Sequence, residues 1–422
     1  MSETRQPSEE AKLVWHGSLL MVGTLVGAVF SAAFHMVMGR EQVLPNAEYG
    51  SLVAMLGIIL VASTPMMALQ NTLAHYISTR ARAGRNDHTL PFFLHWVRLF
   101  LVISAVLVLG AWLFCVPLAG FWGVSPLLIG ITGTVLAATL WMSLFQGLLQ
   151  GTQEFVLLAW IPQAWGVGRL VLGTLLVLTL SATAATALVG QGLGVLTVIL
   201  LGIWALWRLK LPKGDPPARS TDSYQYLGSA FFCLAGYAML MNLDVTLAKR
   251  FFEGETVGLF AKAATIARTA VFLPIPIATA LFPKVSSTGD LSAESWRLLR
   301  RALGFAALLI GAVVAGCLLL PGIPWAILYG RWTPEIAAEA ARMTRAMVLA
   351  QAPLAMTYLL LNFEMAQRHF RSGFLLVPAA GLYIAGIACF HTNPLQIPAI
   401  LGFFNLLALI WLFSAIWRRK HG

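Results

Sequence analysis

Long apolar runs separated by short polar connections dominate the chain from about residue 13 to about residue 417. A helix of about 20 apolar residues crosses roughly 30 Å of hydrocarbon, and no alternation of the outer-membrane barrel type is present. The runs predict about twelve spans, near 13–38, 48–78, 90–116, 126–150, 155–181, 184–207, 223–247, 257–283, 297–321, 335–366, 370–390 and 396–417. The expected fold class is therefore an all-α polytopic membrane protein.

The second run carries an internal pattern. PNAEYG at Pro45 is followed by an apolar helix interrupted at Thr64-Pro65, then by polar Gln70, Asn71, His75 and Tyr76 and basic Arg80, Arg82 and Arg85. A looser copy begins at Glu255-Thr256-Val257-Gly258, is broken by Pro274 and Pro276, and ends at Pro283-Lys284. Gly50 aligns with Gly258 and, with a slip of one residue, Pro65 with Pro274. The connection Arg208 to Asp222, with three prolines in RLKLPKGDPPARSTD, is the most loop-like segment. It divides the chain into an N-terminal lobe (1–207, six spans), a linker (208–222) and a C-terminal lobe (223–422, six spans). Two sixes starting from the same side are parallel repeats, a geometry that places a cavity between lobes. Pro65, Pro274 and Pro276 are candidate hinges, because an intramembrane proline frees backbone carbonyls; packing kinks are the plainer role.

Composition agrees with this pattern: 59% hydrophobic, 11% charged and a mean hydropathy of +0.79 fit no soluble class. The net charge of +11 is spread over short loops without a basic, aromatic-interleaved domain, so nucleic acid is not an expected partner. Of the 28 Lys and Arg, six fall inside spans (Arg98, Arg169, Lys262, Arg268, Arg342, Arg345) and four (Arg40, Lys249, Arg250, Arg331) on the side away from the N-terminus. The remaining eighteen lie on the N-terminal side, which places both termini in the cytoplasm by the positive-inside rule. No small-residue cleavage site follows the polar start MSETRQPSEEAK, so the first span is expected to act as the targeting signal. Cys115, Cys233, Cys317 and Cys389 sit singly in apolar runs without metal-ligand spacing. No metal or other cofactor is expected. The absence of a P-loop, HExxH, nucleophile elbow or long soluble loop argues against an enzyme; Gly190, Gly192 and Gly194 lie in an apolar span, where small residues permit close helix packing.

Charges within the membrane carry the functional signal, because each is costly unless it faces a cavity or a partner. On span eight Lys262, Thr265, Arg268 and Thr269 share about a third of the helix circumference. Arg342 and Arg345 share a face of span ten, and Arg169 lies in span five. Nearby acids are few, Asp244 and Glu339, so the pattern predicts a cationic cavity suited to an anionic substrate, with Arg268, Lys262, Arg169, Arg342 and Arg345 as its ligands. The same residues admit internal roles: Arg342 pairing with Glu339, Lys262 snorkelling, Arg169 capping carbonyls. His35 and Asp244 occupy equivalent places in the repeat and form a candidate ion-coupling pair; the plainer reading makes His35 an interface residue and Asp244 a partner of Lys249 or Arg250. Thr64, Asn71, His75, Thr265 and Thr269 are expected to line the cavity.

The sequences EYG at span two, FQGLLQGTQEF between spans four and five followed by Arg169, LDVTLAKRFFEGETVGLFAKAATI, and LFPKVSS together resemble the polysaccharide-flippase branch of the multidrug/oligosaccharidyl-lipid/polysaccharide exporter superfamily. The resemblance covers nearly the whole chain. It implies two six-helix lobes in a V, alternating access, and movement of an isoprenoid-pyrophosphate-linked oligosaccharide across a bacterial cytoplasmic membrane. The implied partners are that lipid-linked anionic glycan, membrane lipids, and glycosyltransferases or a polymerase of the same pathway. On a count of twelve spans, the chain is expected to be without the two extra C-terminal spans of the peptidoglycan lipid flippase. Its basic cavity balance departs from the acidic cavities of the drug-exporting branch, which is the alternative transport reading. A non-transporting scaffold of a glycan-synthesis complex is a second alternative.

Overall fold

The structure is a computed structural model that describes residues 9–82, 89–212, 221–272, 274, 275, 277, 278, 292–330 and 332–421. Among these no strand occurs. The helices are α1 (Glu9–Met38), α2 (Asn46–Ser63), α3 (Met66–Arg82), α4 (Thr89–Leu113), α5 (Cys115–Trp122), α6 (Pro126–Gly151), α7 (Phe155–Trp160), α8 (Ala164–Thr179) and α9 (Ala184–Leu209) in the N-terminal part. The C-terminal part has α10 (Thr221–Phe251), α11 (Gly254–Phe272), α12 (Ala293–Leu319), α13 (Gly322–Tyr329), α14 (Pro334–Ala366), α15 (Leu376–Cys389) and α16 (Gln396–His421).

Among the described residues ten stretches are long and apolar enough to cross a membrane unaided, against about twelve predicted spans. The other two predicted spans are α11, whose helical turns continue at Pro274-Ile275 and Ile277-Ala278, and the shorter apolar stretch Gly373–Cys389. Lys262 and Arg268 dilute the apolar character of α11, while a single 3₁₀ turn at Gly373–Leu375 takes up the start of the other. Pro276, Lys284 and Arg331 lie outside the described residues, as does the linker from Lys213 to Ser220.

Local chemistry sets the boundaries. Pro65 has no N–H to offer the preceding turn, so α2 stops at Ser63 and α3 restarts at Met66; at the break Leu60 O accepts from both Thr64 N at 2.9 Å and Thr64 Oγ1 at 2.7 Å. Pro162 divides α7 from α8 in the same way. Pro353 stays inside an unbroken α14, where Thr357 Oγ1 donates to the Pro353 carbonyl at 2.9 Å. Ser125, Thr183 and Ser292 cap α6, α9 and α12 by accepting backbone N–H bonds.

Two helices were not predicted. α5 and α13 are short apolar helices following the third long helix of each part, and each ends on a left-handed glycine, Gly123 (φ 62°) and Gly330 (φ 69°). Each crosses to the other part: α13 touches α1 and α5 touches α10.

Burial sorts the long helices. α10 and α14 are 72% and 67% buried along their spans and form the centre, whereas α1 and α12 are 17% buried and lie outside. Val102, Val106, Leu109 and Leu113 leave an apolar outer face on α4, the expected state of a helix solvated by lipid. The close approach predicted for the glycine-rich run of span six is present: an added Cβ on Gly190 would lie 2.1 Å from Gly173 Cα, and one on Gly194 would lie 2.7 Å from Trp165 O. Backbone-to-backbone packing of this kind clamps α8 to α9.

Candidate functional site

The N-terminal and C-terminal helices meet where α2 lies against α10 and α11. The repeat-equivalent glycines are the crossing point. A Cβ on Gly50 would stand 3.0 Å from Val257 C, and one on Gly258 would stand 2.5 Å from Asn46 O. Further along α2, a Cβ on Gly57 would be 2.5 Å from Asn242 O, and Thr246 Oγ1 of α10 donates to Ala54 O at 2.7 Å. The seam is thus made by small residues and backbone rather than by interdigitated large side chains.

Polar side chains run along this seam. Lys262 Nζ donates to Asn46 Oδ1, and Asn46 Nδ2 donates to Glu255 Oε2 at 2.6 Å. One turn further, Tyr49 OH lies 3.3 Å from Thr265 Oγ1 and 3.2 Å from His35 Nδ1. Tyr329 of α13 closes the end of the seam: its OH donates to Lys262 O at 3.2 Å, Lys262 Nζ lies 5.3 Å from its ring centroid, and its ring fills the space over Gly39. Asn46→Ala removes one acceptor from Lys262 and the donor to Glu255. The expected outcome is a weakening of the seam by about 1–3 kcal/mol, read as faster maleimide labelling of a cysteine placed at Thr265; unchanged labelling would exclude a sealing role for Asn46.

Arg268, six residues further along α11 than Lys262, reaches α10. Its NH2 forms an ion pair with Asp244 of α10, whose Oδ1 also accepts from Val245 N at 2.8 Å and whose Oδ2 accepts from Gln351 Nε2 at 3.2 Å. Asp244 is fully buried. The structure therefore joins two predicted site residues that belonged to different roles, ligand and ion coupling, and it pairs Asp244 with Arg268 rather than with Lys249 or Arg250. His35 and Asp244 are not in contact; His35 reaches the C-terminal helices through Tyr49.

Arg169 is 3% exposed among the N-terminal helices. NH1 donates to Gln191 Oε1 at 3.3 Å, and NH2 donates to Ser31 O and Ser31 Oγ, each at 3.1 Å. Its guanidinium lies 4.3 Å from the Phe34 ring and 4.6 Å from the Trp165 ring, and no described carboxylate pairs with it. Aromatic faces and neutral acceptors offset part of the burial cost of the charge.

Arg342 and Arg345 are not at the seam. Both are exposed on α14: Arg342 Nε donates to Ala338 O at 3.3 Å, and Arg345 Nε donates to Leu318 O at 2.9 Å at the end of α12. Arg342 lines a shallow surface cavity of about 270 Å³ with Glu339, Thr392 and Asn393. Arg98 is exposed on α4. Asn71, His75 and Thr269 are exposed, Thr64 is half-buried, and Pro274 is buried.

Sequence reading missed Asn46, Tyr49, Gln191, Tyr329 and Gln351 as members of the site. Gln191 and Gln351 were open to detection, since an amide inside an apolar run needs a partner as a charge does. No set of three or more His, Cys, Asp or Glu among the described residues could hold a metal ion.

This arrangement of helices matches the fold of solved membrane proteins. It matches a multidrug resistance MATE family transporter of the MOP superfamily in an inward-facing conformation, with a TM-score of 0.73 at 12% identity over 94% of this chain and 96% of that one. It also matches the lipid II flippase MurJ in an inward closed conformation, with a TM-score of 0.71 at 12% identity over 94% of this chain and 87% of that one. A MATE structure in complex with MaD5 gives 0.69 at 14% identity over 96% of each chain. No protein-family model matches the sequence, and no curated protein matches it.

Proposed function

We propose that the protein is a flippase that carries an isoprenoid-pyrophosphate-linked, anionic oligosaccharide across a bacterial cytoplasmic membrane by alternating access. Residues 1–207 and 223–422 are the two moving lobes, joined by the linker 208–222, with both termini cytoplasmic. The observation that carries this reading is the charge at and beside the seam: Arg169, Lys262 and Arg268 are all buried there, and among the described carboxylates only Asp244 pairs with any of the two arginines. A pyrophosphate head group supplies the counter-charge when the seam opens, while the isoprenoid tail stays in lipid. Glu255, Asn46 and Tyr329 then belong to the gate that closes behind it, and the breaks at Pro65 and beside Pro274 to the bending of the paired helices. The fold match to a lipid II flippase supports this class of substrate.

Drug efflux is the second reading, favoured by the fold match to MATE transporters. Against it stands Asp244, an acid suited to a cationic drug but already occupied by Arg268 and Gln351. Proteoliposomes containing a fluorescent lipid-linked oligosaccharide separate the two. Wild-type protein is expected to move the lipid between leaflets, and Arg169→Gln to slow it at least tenfold at equal protein content. Transport of cationic dyes with no movement of the lipid-linked sugar would instead establish efflux. Full activity in Arg169→Gln would remove that residue from the head-group site.

A further inference from the structure

The ends of α12 and α16 on the side of the C-terminus carry a basic, aromatic patch that the seam does not use. Trp296 and Trp417 meet edge to face at 5.8 Å, Phe413 stacks on Trp417 at 6.1 Å, and His421 lies 4.4 Å beyond. Around them Arg297, Arg300, Arg301 and Arg418 are exposed, and none forms an ion pair with a described carboxylate. The neighbouring Arg419 differs: it is committed inward to Glu364 at 3.0 Å and to Gln367, which ties α16 to α14. Along the same two helices, towards the middle of the membrane, Phe305, Leu308 and Ile410 remain exposed and apolar.

Orientation alone does not require this many charges. The corresponding helix ends of the N-terminal part, the start of α4 and the end of α9, carry fewer: no Lys or Arg before Arg98 in the one, and Arg208 with the capping Lys210 in the other. Four guanidiniums and two tryptophans at the helix ends, with apolar side chains further along the same helices, match a molecule with a phosphate head and acyl chains. Basic pockets between membrane helices bind such heads.

We propose that the α12/α16 patch is a binding site for an anionic phospholipid of the leaflet on the side of the termini, and that its four arginines favour a head group with two phosphates, as in cardiolipin. The four arginines lie on two helices that both pack on α14, so one two-phosphate lipid would bridge them.

The test is titration of the full-length protein, purified in neutral detergent, with cardiolipin and separately with phosphatidylcholine, read by native mass spectrometry. Each basic residue near an anionic surface contributes about fivefold in affinity, so Arg297→Gln/Arg300→Gln/Arg301→Gln is expected to bind cardiolipin about a hundredfold more weakly. Its thermal midpoint in lipid-free detergent should stay that of wild type. Should the triple variant fail to fold, Arg300→Gln alone, expected to be about fivefold weaker, carries the same test. Equal cardiolipin affinity in variant and wild type, or equal affinity for phosphatidylcholine, overturns the proposal. Displacement of bound cardiolipin by an isoprenyl pyrophosphate at a lower concentration than cardiolipin itself also overturns it, and reassigns the patch to lipid-linked cargo.

Discussion

Asp244→Ala is expected to destabilise the protein by about 3–5 kcal/mol, the typical cost of leaving one member of a buried ion pair without its partner. Arg268 would keep its charge beneath α10 with no acid to meet it, and Gln351 Nε2 would lose its acceptor. Gln351 Oε1 and Arg268 Nε already find no hydrogen-bond partner among the described residues, so the cluster has little slack to reorganise. The measurement is the thermal midpoint of purified protein in one detergent. The double variant Asp244→Leu/Arg268→Met should recover most of the loss, because a buried ion pair replaced by apolar groups of similar size is often neutral. A single variant as stable as wild type would mean that Arg268 finds another acid. A double variant no better than the single would mean that Arg268 acts beyond this pair.

Gly258→Leu should have the second largest effect, and of a different kind. The new Cβ would stand 2.5 Å from the carbonyl oxygen of Asn46, a backbone atom that cannot rotate away. Forcing atoms into a closed contact costs typically 1–3 kcal/mol, and here it separates α2 from α11. The bonds from Lys262 to Asn46 and from Tyr49 to Thr265 are lost with it. The expected result is rapid labelling of a cysteine at Thr265 together with a lower thermal midpoint. Gly311→Leu on α12 is the control, since an added Cβ there meets nothing within 4 Å. Slow labelling in Gly258→Leu would show that the seam absorbs the added side chain without opening at its crossing glycine.

Features written along one helix were legible in the sequence. The break at Thr64-Pro65 follows from a missing N–H, and the tight α8/α9 contact follows from glycines spaced on one helix face. Features that require two helices to be placed were not. Periodicity put Arg268 on a polar sector of α11, yet whether that sector met water, lipid or Asp244 depended on the packing of α10. Arg342 and Arg345 also share a face, and the packing of α12 and α16 on α14 leaves that face outside. Arg169 takes its partners from α1 and α9, which no pattern in α8 announces. α5 and α13 escaped because eight residues do not fill a window of bilayer length, although Gly123 and Gly330 marked both ends.

The crossing of Gly50 with Gly258 has a meaning for the origin of the seam. If the two halves once were separate copies of a single six-helix chain, these glycines were one residue facing its own counterpart, as happens at the axis of an isologous dimer. At such a point any substitution is felt from both sides at once. Fusion into one polypeptide would then lift that constraint for the flanking positions: Asn46 and Tyr49 would belong to one copy, Lys262 and Thr265 to the other. The glycines sit where backbone meets backbone, so one wall of the seam carries Lys262 without loosening the joint.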